Sequence, residues 1–264
     1  MTTLDAAIGG TFDFGRVVQR TFRIIGDNIS LFAVAALVLV VTPVFLATTL
    51  GLLGKSAVTF GVSSIVGGLL AAVGGFVLQG VIVHVAISKL NGRAVETGEA
   101  VGVGARFGLP LFGLAIVSTL GLILGFTLLF VPGLILCVMW SVAVPALVME
   151  KRGVLASLQR SRDLTRGHRW SIFGLLMVWF VISIVVSMVV QAISGVTGAS
   201  TTLAGAMAGS AAPLTAGVVM ATLLSAISSG LQGVIAAAGA SSIYYELRTT
   251  KEGVAPDQLA SVFD

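Results

Sequence analysis

Apolar residues run almost unbroken through six stretches of this chain, at about 29–50, 61–90, 109–131, 133–149, 170–193 and 213–245. Each is close to or above the roughly 20 helical residues that cross about 30 Å of hydrocarbon. Strands of a membrane barrel would instead alternate apolar and polar positions over about ten residues. The pattern therefore predicts six transmembrane helices and an all-α, polytopic membrane fold. The second stretch holds thirty residues, about 45 Å at helical rise, so it must tilt, break near its glycines or protrude.

Residues 14–27, FGRVVQRTFRIIGD, follow a different rhythm. At about 100° per residue, Phe14, Val17, Val18, Phe22 and Ile25 share one side, while Arg16, Arg20, Arg23 and Asp27 take the other. Such a helix either lies in the membrane interface or packs its apolar stripe on the bundle. Punctuation along the spans is equally readable. Pro43 predicts a kink in the first, and Pro132-Gly133 a tight turn between the third and fourth. Residues 194–212, uncharged and rich in small side chains, read as a flexible or weakly helical loop. Ser228-Ser229-Gly230 reads as a break in the last span. Gly61, Gly68 and Gly75 recur every seven residues with Ser64, Ala71 and Ala72 between them, which predicts a small-residue face for close helix contact. The third span carries Gly121-x-x-x-Gly125.

Composition agrees with this pattern: 56% of the residues are hydrophobic and 10% charged, with mean hydropathy +1.07, whereas soluble domains carry about a quarter charged residues. The single cysteine, Cys137, excludes an intramolecular disulfide and leaves the redox compartment undetermined. Asp5, Asp13 and Asp27 stand beside three arginines in the first 28 residues, and the run behind them is too long for a signal-peptide core, so the first helix is expected to be retained.

Charge adds orientation. Three of the lysines and arginines precede the first span, three follow the second, six follow the fourth and two follow the sixth, so fourteen of fifteen share one face and only Lys55 lies on the other. Positively charged loops stay in the cytoplasm. The expectation is a multi-pass membrane protein with both termini cytoplasmic. On this reading residues 1–28 form an amphipathic interfacial segment, 29–245 the transmembrane domain and 246–264 a cytoplasmic tail. The net charge of +4 is then a matter of topology, and nucleic acid is not expected as a partner.

The chain also reads as three tandem helical hairpins. Each enters the membrane through a similar tripeptide, Ser30-Leu31-Phe32, Pro110-Leu111-Phe112 and Ser171-Ile172-Phe173. Leu78-Gln79-Gly80-Val81-Ile82 matches Leu231-Gln232-Gly233-Val234-Ile235. Copies of a hairpin keep one orientation, as in parallel repeats about an axis along the membrane normal.

Candidate chemistry is sparse. The only histidines are His84 and His168, and the acidic residues fall outside the predicted spans, so neither a metal centre nor a cofactor is expected. No nucleophile elbow, P-loop or dinucleotide fingerprint occurs in the strand–turn–helix setting it needs. Gln79, His84 and Gln232 are polar residues within the spans that could line an interior path. Their plainer role is to bond one helix to another. The segment after the fourth span carries Lys151, Arg152, Arg160, Arg162, Arg166 and Arg169, then Trp170. Val154, Leu155, Leu158 and Leu164 give it a partial apolar stripe, and Gly167 a helix stop. Cations near an anionic leaflet contribute about 1 kcal/mol each, which makes Arg160, Arg162, Arg166, Arg169 and Trp170 the candidate lipid- or partner-binding set. The plainer alternative is that they fix topology.

The same segment carries a family resemblance. Pro132-Gly133, Trp140, Pro145, Glu150, Gly153, Ala156, Arg160-Ser161, Leu164-Thr165, Gly167 and Trp170 resemble the membrane domain of glycerophosphoryl diester phosphodiesterases, a superfamily that includes uncharacterised bacterial inner-membrane proteins. The tail Ile243-Tyr244-Tyr245-Glu246-Leu247-Arg248, then Lys251-Glu252-Gly253, is similar to that family's closing motif, and FDFGRVVQRTFRIIGDN to its beginning. In the fused enzymes, hydrolysis belongs to a separate soluble barrel with acidic metal ligands and histidines, so the resemblance implies a membrane module and carries over no catalytic residue. The expected role is a non-catalytic scaffold or accessory module that binds membrane lipid, anionic phospholipid at the cytoplasmic face, or a protein partner or second copy. A small transporter or channel for a lipid-like or small solute, lined by Gln79, His84 and Gln232, is the alternative. An intramembrane lipid enzyme ranks last.

Overall fold

The computed structural model describes residues 12–54, 56–93, 95–207 and 215–253. Expectations for Lys55, residues 1–11, the stretch 208–214 and the tail from 254 lie outside the described residues.

The structure is helical: α1 (Phe14–Asp27), α2 (Ile29–Ala36), α3 (Thr42–Leu53), α4 (Ala57–Leu90), α5 (Thr97–Leu128), α6 (Phe130–Met139), α7 (Ala143–Glu150), α8 (Val154–Thr165), α9 (Arg169–Val196), α10 (Ala199–Met207) and α11 (Ala216–Glu252). Six stretches among the described residues are long and apolar enough to cross a membrane: Ile29–Leu53, Ala57–Leu90, Thr97–Leu128, Phe130–Glu150, Arg169–Val196 and Ala216–Glu252. Their large apolar side chains are left outside. Phe180, Val181, Val185, Met188 and Val189 on α9 are all exposed, and contiguous apolar exposure on that scale needs lipid as its solvent. This is an all-α polytopic membrane protein.

Several boundaries differ from the sequence reading. The third span starts at Thr97 rather than 109, because the mildly polar stretch TGEAVGVGARFG contains nothing that stops a helix and Pro110 is accommodated inside it. The turn between the third and fourth spans is Leu129, extended at φ −164° and ψ 147°. Pro132 then sits in the first turn of α6, where its missing N–H has no partner to lose. The fourth span breaks at residues 140–142. The described part of the expected loop, 194–207, is largely helix, with Gly198 at φ +70° between α9 and α10. The last span runs unbroken past Ser228-Ser229-Gly230 and ends at Glu252, not at Tyr245.

The chain forms two compact units. Unit 1 comprises residues 1–29, 79–178 and 235–264; unit 2 comprises 30–78 and 179–234.

In unit 1 the end of α4 is central. Val81, Ile82, Val83, Val85, Ala86 and Ile87 are all essentially inaccessible, as expected for a helix apolar all round. Gly80 admits α5 closely, since a Cβ there would stand 3.0 Å from Gly104 Cα. Gly121 and Gly125 make the same kind of room for Trp140 and Gly133. On α1, Val17, Thr21, Ile24 and Asn28 are buried while Phe14 (41%) and Phe22 (63%) are exposed. The apolar stripe of α1 is thus divided: one flank packs on the protein, and the other faces outward.

In unit 2, Pro43 shapes the first span. Its ring cannot donate to the carbonyl one turn back, and the chain widens into a π turn at Leu37–Val41. The freed Leu39 carbonyl meets α4 at Gly74, where a Cβ would lie 1.9 Å from the oxygen. At Gly67 a Cβ would lie 2.0 Å from Ala47 Cβ. Gly61, Gly68 and Gly75, the expected contact face, have nothing within 4 Å. Both series repeat every seven residues, and periodicity alone does not distinguish two faces about 100° apart.

Candidate functional site

The basic residues of unit 1 divide into two groups, and their surroundings explain the division. α8 packs its narrow side inward: Ser157, Leu158, Ser161, Leu164 and Thr165 are buried, whereas Leu155, expected in the apolar stripe, is 71% exposed. The gap at 140–142 leaves two backbone groups without helical partners. Ser161 serves both, donating to the Met139 carbonyl at 2.8 Å and accepting from Val142 N–H at 3.3 Å. That anchoring fixes which way the arginines of α8 point.

Arg160 points into a closed network. Its Nε donates to Glu150 Oε1 at 2.7 Å, and its other nitrogen donates to Glu252 on α11. Tyr244 Oη donates to Glu150 Oε1 at 3.0 Å, and Arg248 Nε to Glu252 Oε2 at 2.9 Å. Arg152 Nε lies 2.8 Å from Glu150 Oε2, close enough to pair but off the hydrogen-bond direction. Burial works against the Arg160 charge, yet the bonds to Glu150 and Glu252 outweigh it and raise its pKa above the usual guanidinium range. With a side chain 22% exposed, Arg160 fastens α7, α8 and α11 together.

A second carboxylate organises α1. Glu246, 2% exposed on α11, accepts from Asp13 N–H and pairs with Arg16 and Arg20. The Arg20 guanidinium also lies over the Tyr245 ring, 5.0 Å from its centroid. A buried carboxylate is tolerated only with such partners. Glu246 and Glu252 lie in the last two turns of α11.

Arg162, Arg166 and Arg169 face the other way. With Gln159 and Asp163 they line a groove of about 370 Å³ at the junction of α8 and α9. Arg162 and Arg166 are exposed, and no ion pair to these three arginines forms among the described residues. Arg169 Nε is buried with no hydrogen-bond acceptor. Lys251 donates to the Asp163 carbonyl at 2.6 Å, adding another cation beside the groove. Gly167, at φ +95°, makes the turn that sets Arg169 opposite α8; a residue with a Cβ would be strained there. The ring of Phe12 covers His168 at 5.7 Å, and burial followed by the charge of Lys251 lowers the His168 pKa. Trp170 is outside the groove lining. It is 84% exposed and edge-on to Phe173 at 6.1 Å, a pose suited to the membrane–water boundary.

Two of the three interior polar candidates have local partners. His84 Nε2 is 3.2 Å from Glu99 Oε1 on α5, a helix-to-helix contact. Gln232 donates to Ser228 one turn back on α11 at 3.1 Å. Gln79 is half-buried on α4. The matched pentapeptides have different environments: Gly80 is packed against Gly104, while Gly233 has nothing within 4 Å. Among the described residues no group of three or more His, Cys, Asp or Glu is placed to hold a metal ion.

Sequence reasoning missed Glu150, Tyr244, Glu246 and Glu252 as structural partners, although all four stand in the motifs that carried the family resemblance. Compared with known families, residues 53–207 match the family model of Uncharacterised protein family (UPF0259). No solved structure matches the chain.

Proposed function

We propose, for a chain that belongs to Uncharacterised protein family UPF0259, a non-catalytic membrane module that holds an anionic lipid headgroup at its basic face. The observation that carries this reading is the groove of Arg162, Arg166 and Arg169, with Arg169 Nε buried and lacking an acceptor. A buried charged donor without a partner costs free energy. A phosphate diester supplies the missing oxygens, and arginine is the side chain best shaped to meet them. Trp170 then sits at the headgroup boundary beside the bound phosphate, and Phe14 and Phe22 seat α1 in the same interface.

The orientation that goes with this reading places the groove and both termini in the cytoplasm of a bacterial inner membrane, supported by fourteen of fifteen cations on one face. A protein partner or second copy would use the same basic face. Kinship with the glycerophosphoryl diester phosphodiesterase membrane domain is part of the proposal, resting on the motifs around Glu150–Trp170 and Ile243–Gly253. A solute path is less well supported, since His84 and Gln232 have partners of their own.

Native mass spectrometry of protein extracted with its own lipids tests the reading. Wild type should retain anionic phospholipid that the combined variant Arg162→Gln, Arg166→Gln, Arg169→Gln loses. Equal retention by both proteins would refute it.

A further inference from the structure

Unit 2 contains a cavity of about 600 Å³, within the roughly 300–1,000 Å³ of small-molecule sites. Its walls come from α3, α4, α9, α10 and α11, and none of the lining residues is charged. Val44, Phe60, Leu203 and Ala221 supply hydrocarbon. Ile65 and Met207, at 66% and 73% exposure, bring it to the apolar outer surface.

One buried hydroxyl in this wall lacks a partner. Hydroxyls inside membrane helices ordinarily bond to a carbonyl one turn back. Thr48 does so to Val44 and Ser194 to Val190, each at 2.9 Å. Thr222, also in the wall, does not: the residue is only 8% exposed, and its Oγ1 is buried without any hydrogen-bond partner. Each such group calls for an explanation. An occupant that brings its own oxygen explains this one.

We propose that this cavity binds an uncharged lipid, with an alkyl or isoprenoid chain along the apolar wall and a hydroxyl oxygen accepting from Thr222 Oγ1. Charge is disfavoured because no cation or anion lines the cavity to balance it. This site differs in chemistry from the arginine groove and does not depend on it.

The test uses the full-length protein in micelles and three photoactivatable probes carrying a diazirine on the same sixteen-carbon chain: an alcohol, a hydrocarbon and a carboxylate. The alcohol should label residues 200–207 and 221–225 at least five-fold more than either other probe. Thr222→Val, which removes the oxygen and keeps the shape, should reduce alcohol labelling to the hydrocarbon level without lowering the unfolding temperature. Ser225→Phe, at an exposed position in the cavity wall, should block all three. Wild-type labelling equal for alcohol and hydrocarbon would overturn the proposal. So would an alcohol preference that survives Thr222→Val, or a Thr222→Val protein that fails to fold, since that would give the hydroxyl a structural duty.

Discussion

Arg160 and Arg162 stand two residues apart on α8, carry the same charge and belong to opposite faces of one helix. Arg160 turns toward Glu150 and Glu252 and joins three helices. Arg162 turns outward to the groove it shares with Arg166 and Arg169. Two residues on a helix are about 200° apart, and the inward pull of Ser157, Ser161 and Thr165 decides which arginine meets the carboxylates. A run of basic residues is therefore two objects, one that holds the fold and one without an ion-pair partner among the described residues. Gly74 and Gly75 repeat the lesson on α4, the first against a backbone carbonyl and the second against open space.

The hardest blow to this contrast is Arg160→Met. Removing one partner of a buried pair leaves charges behind at about 3–5 kcal/mol. Because the Arg160 side chain is 22% exposed, a loss of about 2–4 kcal/mol is expected in denaturant unfolding in micelles. Next is Gly74→Ala, which forces a methyl onto the Leu39 carbonyl and should cost about 1–3 kcal/mol. Gly75→Ala should be neutral or slightly stabilising, since alanine is the better helix former by about 1 kcal/mol. Equal effects at 74 and 75 would undo the assigned helix face. Smaller again, changing Arg162, Arg166 and Arg169 together to Gln should not lower stability, since two of the three are exposed and the third gives up a buried charged donor that lacks an acceptor, while removing the bound anionic lipid.

The smallest effect concerns His168. Its pKa is lowered in the fold, by burial and then by Lys251, so the folded protein favours the neutral ring. Its contribution is complete above the ordinary histidine range and is lost as pH falls through the lowered value. Unfolding curves from pH 7.5 down to 5 should show this acid loss in wild type and less of it in His168→Gln. Anionic lipid in the groove, by offsetting the local positive charge, should reduce it too.

The six spans and the amphipathic helix at 14–27 were legible because apolar runs and a 3.6-residue period are local properties. What α8 does was not. Its inward face sets Ser157, Ser161 and Thr165 beside Leu158 and Leu164; these hydroxyl residues look polar in a sequence and serve here as small packing residues, Ser161 also as a backbone partner. The acids that capture Arg160 and Arg20 stand 10, 92 and 226 residues away, on α7 and α11. The contact glycines were visible as a heptad, but a second heptad one residue along carried the same period. Arg162, Arg166 and Arg169 were legible as a charged cluster, whereas the unmatched Arg169 Nε and the unmatched Thr222 Oγ1 exist only in three dimensions.

Exchange of brominated lipids against Trp170 tests the central contrast most directly. In a Trp140→Phe, Trp179→Phe background, fluorescence from Trp170 alone reports which lipid sits at the groove. The account predicts that brominated phosphatidylglycerol quenches about tenfold more readily than brominated phosphatidylcholine, an effect of one to two kcal/mol from clustered cations. Arg162→Gln, Arg166→Gln, Arg169→Gln should abolish that preference, and a folded Arg160→Lys should keep it. A wild type without preference, or a preference that vanishes with Arg160→Lys and survives the triple change, would contradict the account.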